Sequence, residues 1–77
     1  MTDGELMKYG MLRYLQSMMD DFKEWEKRAE GKAKDSVEHE WMMSKMHAMI
    51  ACKEMVECLI GEPVNLQCDG KVTVGLY

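Results

Sequence analysis

His39 and His47 are the side chains here best suited to holding a metal ion, with Glu40, Glu54 and Cys58 near them in sequence. Two ligands on one helix must stand three or four residues apart to reach one ion, as in H-E-x-x-H. The two histidines are eight apart, and Met43, Ser44, Ile50 and Ala51 fill the three- and four-residue offsets around His47. No metal site is therefore expected within one chain; a site shared across a symmetry axis is the alternative, and solvated or interfacial histidines are the simpler reading. Nucleophilic chemistry finds no better footing. Cys52 falls in an apolar stripe, Cys68 falls in a turn, and none of the cysteines has a histidine four residues away to lower its pKa. Glycine-rich phosphate loops are absent, no cofactor is expected, and the chain reads as non-enzymatic.

Carboxylates offer a second chemistry. Asp20, Asp21 and Glu24, followed later by Glu54 and Glu57, resemble the paired acidic motifs of the all-helical nucleotide pyrophosphatases of the MazG type. That resemblance implies magnesium held by carboxylates converging from neighbouring helices. Helical periodicity turns both groups away from the seam between the helices, so charge on a solvated face is the competing reading. Lys27, Arg28, Lys32 and Lys34 form a small basic patch, of which Arg28, Lys32 and Lys34 are candidates to bind an anion. The net charge is −4 and no aromatic residues interleave with these cations, so broad nucleic-acid binding is not expected.

These groups are carried by two helices. Met7, Met11, Tyr14, Met18, Phe22, Trp25 and Ala29 follow one another at steps of three and four, and Val37, Trp41, Ser44, Ala48, Cys52, Met55 and Leu59 repeat the same steps. Such spacing draws one stripe along each helix. Thr2 and Glu5 have capping-box spacing, Gly31 stops the first helix, and Asp35 or Ser36 starts the second. The short link Lys32 to Lys34 forces an antiparallel helical hairpin, with helices over about 3–30 and 36–60. Folding the stripes together sets Trp25 beside Trp41, Phe22 beside Ser44 and Met18 beside Ala48, large against small, and predicts deep burial of both tryptophans. Arg13, Gln16, Ser17, Asp20, Lys23, Glu24 and Lys27 are then the solvated face.

Gly61 and Pro63 end the second helix, and the remainder reads as a β-hairpin over about 63–68 and 71–77 around Asp69-Gly70. A two-residue Asp-Gly loop would pair Leu66 with Thr73. A three-residue Cys68-Asp69-Gly70 loop with Gly70 as a bulge instead pairs Leu66 with Val72 and Val64 with Val74, putting all four on one face. The second register is the expected one. The fold class is α+β, in a single domain spanning 1–77.

The second helix is more apolar than a hairpin requires. Met43, Met46 and Ile50 project away from its core stripe and, with His47, make a candidate interface. The alternative is that the β-hairpin folds over them. A chain of 77 residues buries little surface and needs a further source of stability. Three cysteines cannot be fully paired within one chain, which fits a reducing cytoplasm, and no apolar run is long enough for a membrane span. No secretion signal is read at the start. Oligomerisation, as a homodimer or larger symmetric assembly, is the remaining expectation. Ten methionines beside one phenylalanine add adaptable contact surface. In size, methionine content and lack of catalytic residues the chain resembles accessory proteins of bacteriophages and mobile elements, including inhibitors of bacterial defence systems. The function so implied is a protein-interaction module that binds a host or partner protein in the cytoplasm. Its rival is sequestration of a nucleotide-like anion at an oligomer interface.

Overall fold

Residues 2–75 are described by a computed structural model, in the order α1 (Asp3–Ala29), α2 (Val37–Ile60), β1 (Val64–Leu66) and β2 (Val72–Val74). Each helix starts on a hydroxyl. Thr2 Oγ1 accepts from Glu5 N at 3.2 Å and donates back to Glu5 Oε1 at 3.1 Å, while Ser36 Oγ accepts from His39 N at 3.3 Å. Those oxygens satisfy amides that the first turn cannot. α2 stops at Gly61, whose φ of 71° is the left-handed conformation that lets its N–H close on Glu57 O at 2.9 Å. The two helices run antiparallel, and Trp25 and Trp41 stack near their shared end with ring centroids 5.7 Å apart.

The β-hairpin adopts the bulged register. Val64 pairs with Val74 and Leu66 with Val72, and Gln67 N donates to Lys71 O at 2.9 Å across the three-residue loop. Gly70 closes that loop at φ 93°, and Asp69 Oδ1 accepts from Lys71 N at 3.1 Å. Leu76 and Tyr77, expected to finish the second strand, lie outside the described residues.

Where the hairpin sits decides the core. Its apolar face packs on Leu15, Met19, Met49, Cys52 and Val56, and Val64 is buried among them. This core overlaps the stripes that the sequence suggested at Ala29 and Cys52 but is shifted towards the hairpin, so that Leu15 and Met19 on α1 and Met49 and Val56 on α2 are buried more deeply than their stripe neighbours Tyr14, Met18, Ala48 and Met55. Tyr14, Val37, Trp41, Met55 and Leu59 are consequently exposed rather than central. Trp41, expected to be deeply buried, is 49% exposed, and Trp25 is half-buried. The cause is the third element: an apolar strand pair laid along one side of the helical seam withdraws the seam's other side from the core.

Gln16 and Lys23, read as solvated, hold the hairpin in place. Gln16 Oε1 accepts from Val72 N at 3.0 Å while its Nε2 donates to Gly70 O at 2.7 Å, so one amide serves both polar groups of a strand edge. Lys23 Nζ donates to Cys68 O at 2.7 Å. An ion pair from Lys8 to Glu62 ties α1 to the segment after α2.

Candidate functional site

The helical layer has two sides, one covered by the β-hairpin and one open. Along the open side α1 presents Met7 and Tyr14, and α2 presents Val37, Trp41, Met55 and Leu59. Tyr14 is 63% exposed, Met55 57% and Leu59 54%, so these side chains keep half or more of their surface in water. Between the large residues of α2 lie Ser44, Ala48 and Ala51, all exposed. Met11 and Met18 straddle the seam, half-buried against the core yet adjoining the open side. Scattered apolar residues on a surface need no explanation, but a contiguous row at helical spacing marks a contact surface.

One ion pair crosses this face, where Asp20, Asp21 and Lys45 line the same groove as Tyr14, Met18 and Ala48. Asp21 Oδ2 pairs with Lys45 Nζ at 2.8 Å across the helices, and Lys45 also stands 5.8 Å from the Trp41 ring centroid. Arg28 lies over Trp25 at 4.8 Å and pairs with Glu24 at 3.3 Å. The tryptophan pair therefore sits between two cations, each already matched to a carboxylate. Exposed pairs of this kind contribute about 0.2–1 kcal/mol each and fix geometry more than stability.

The expected interface residues Met43, Met46, His47 and Ile50 stand at helical spacing on the side of α2 turned away from the open face. Met46, half-buried, lines a groove with Phe22, Met49, Ile50 and Leu66 beside the hairpin loop, and Ile50, like Met43 and His47, is exposed. Of the candidate anion ligands, Arg28 is engaged by Glu24 and Trp25, and Lys32 and Lys34 are exposed on the connecting turn. His39 Nε2 lies 3.2 Å from Lys32 O, a contact that fits donation from the ring to that carbonyl.

The acidic residues are occupied separately. Asp20 accepts from Gln16, Asp21 and Glu24 pair as described, and Glu57 accepts from Val64 N at 2.8 Å and from Lys53 Nζ at 3.1 Å. The Val64 amide, with Lys53 second, holds the Glu57 carboxyl below the usual carboxylate range. Among the described residues no three histidine, cysteine or acidic side chains come together in a group that could hold a metal ion. Cys52 is buried and its thiol is pushed up by that burial, whereas Cys58 and Cys68 are exposed; all three are free. No described helix is long and apolar enough to cross a membrane.

Sequence reasoning missed the open face because it assigned the same stripe to the core. The signal was present in α1, where Leu12, Leu15, Met19 and Phe22 form an equally apolar row beside Met11, Tyr14, Met18 and Trp25. Two adjacent apolar rows on one helix imply two partners, one for each. Compared with protein-family models, curated proteins and solved structures, the chain finds no match.

Proposed function

We propose that this chain is a non-enzymatic protein-interaction module whose contact surface is the open side of its helical layer. The observation that carries this reading is the row of half-exposed Met7, Tyr14, Trp41, Met55 and Leu59 along one face, opposite the face that the β-hairpin covers. Large apolar and aromatic side chains at fixed helical spacing supply the desolvation that drives association. Methionine adds contact that adapts to the shape it meets. The ionisable groups support the same reading, since Asp21, Glu24, Glu57, Lys45 and Lys53 all act in internal pairs.

A photo-reactive benzophenone side chain placed at Tyr14 or Met55 in the source cell tests it. Discrete protein adducts at both positions, and none from the same group at Lys34 on the exposed turn, are the expected result. Equal, diffuse labelling from all three positions would overturn the reading.

A further inference from the structure

We propose that the occupant of the open face is a second copy of this chain, seated about a two-fold axis parallel to the helices. This rests on the interaction reading above and names its partner. Contacts within one chain set the levels of the two helices. Trp25 stacks on Trp41, Asp21 pairs with Lys45, and Met18 shares a groove with Ala48, so each step along α1 is matched by a step back along α2. Continuing that register places Tyr14 level with Cys52, one residue along from Ala51, Met11 with Met55 and Met7 with Leu59.

A two-fold axis along the helices keeps every level and lays α1 of each copy on α2 of the other. Met18 then meets Ala48 of the second copy at its own level, and Tyr14 meets the exposed Ala51 one residue along from the buried Cys52, large side chains over small ones. Met7 and Met11 meet Leu59 and Met55 towards one end, and the tryptophan pairs meet towards the other. Every helix acquires antiparallel neighbours, the up-and-down arrangement of four-helix bundles, with a β-hairpin on each outer side. A two-fold axis across the helices would reverse the levels and lay α1 on α1 and α2 on α2, so that an axis midway between Tyr14 and Met18 sets each on the other, large on large, and the small residues of α2 fall on each other. That alternative leaves overlap at one ridge and a void at the next.

The molecule is 47 Å along its longest axis and at least 17 Å across, so a face covered along its whole length is on the scale of the ~800 Å² per partner of a standard interface. The chain's own buried set is small, from Leu15 to Val64, and its three thiols are free, so a second layer of helices adds the burial that a short chain lacks. Such a contact is isologous and closes on itself.

Light scattering and sedimentation equilibrium on the full chain test this directly. A mass of twice the 9.0 kDa of one chain is expected, falling to that of one chain in Ala48→Glu with helix content retained by circular dichroism. Tyr14→Glu is the second variant should Ala48→Glu fail to fold. Ile50→Glu, in the groove beside the hairpin, is expected to leave the dimer intact. Register is read by mixing chains carrying Tyr14→Cys with chains carrying Ala51→Cys, each in a Cys58→Ser, Cys68→Ser background. Oxidation should link the two kinds of chain to each other and not Tyr14→Cys to itself.

A single-chain mass at every concentration would overturn the proposal, as would a dimer broken by Ile50→Glu but not by Ala48→Glu, or self-linking of Tyr14→Cys. If the chain is monomeric while a benzophenone at Tyr14 captures a different protein, the second copy is refuted and the interaction reading stands. If neither contact forms, both fall.

Discussion

Gln16 on α1 accepts the backbone N–H of Val72 at 3.0 Å, and through that bond and its partner to Gly70 O a helix side chain fixes where the β-hairpin lies. The position of the hairpin selects which apolar row becomes core. The row it leaves uncovered becomes the surface on which the functional reading depends.

Gln16→Ala should therefore cost about 1–3 kcal/mol, because the Val72 amide and the Gly70 carbonyl lose a partner at a partly buried site. Gln16→Glu keeps an acceptor for Val72 and loses the donor to Gly70, so its cost should fall between wild type and alanine. Urea unfolding followed by circular dichroism measures both.

At Gly70 the strain is conformational. A Cβ would stand 3.6 Å from Lys23 Cγ, an ordinary contact, but φ of 93° is a conformation that L-residues avoid. Gly70→Ala should cost about 1–2 kcal/mol, and Gly70→Val more because branching at Cβ resists positive φ further. Asp69→Asn should be near neutral, since an amide oxygen can accept from Lys71 N as the carboxylate does. Thermal melts of the three variants would separate these effects.

Trp41→Ala removes a stacked partner from Trp25 but only half a side chain from burial. About 2 kcal/mol is expected in the single chain, below the 3–5 kcal/mol of a fully buried aromatic. Stability measured at two protein concentrations checks the remainder, because a residue at an association face loses more where association is populated.

Glu57 gives a pH dependence with a definite sign. Its carboxyl is held low in the fold by the Val64 amide and then by Lys53, so the ionised form is the one that folding favours. The stability it contributes is complete above the ordinary glutamate value of about 4.3 and is lost as pH falls through the lower folded value. Wild type and Glu57→Gln should differ most near pH 7 and converge in acid. A constant gap in unfolding midpoint from pH 7 to pH 3 would contradict this.

Much of the fold was legible because its signals are local. Thr2, Ser36 and Gly61 mark helix ends by their own backbone chemistry, and Gly70 with alternating Val64, Leu66, Val72 and Val74 specifies the hairpin register. The level of Trp25 against Trp41 followed from equal distances to the turn. The facing of the helices was not legible, for a physical reason. On α1 the rows through Leu15 and through Tyr14 are both apolar and lie one residue apart, so periodicity alone gives no unique buried stripe. Only the tertiary partner chooses between them. Gln16 was hidden in the same way, since an amide in a polar column reads as solvated until a strand edge is brought to it.

The hairpin closes one side of the helical layer, and in the dimer proposed above a second copy closes the other. Solvent paramagnetic relaxation by a soluble gadolinium chelate, read on side-chain methyl signals over a series of protein concentrations, tests it most directly. The Ala48 and Met55 methyls should be strongly relaxed in dilute solution and approach the protection of Leu15 as concentration rises, while the Met43 methyl stays exposed throughout. Ala48 and Met55 as strongly relaxed as Met43 at every concentration would contradict it.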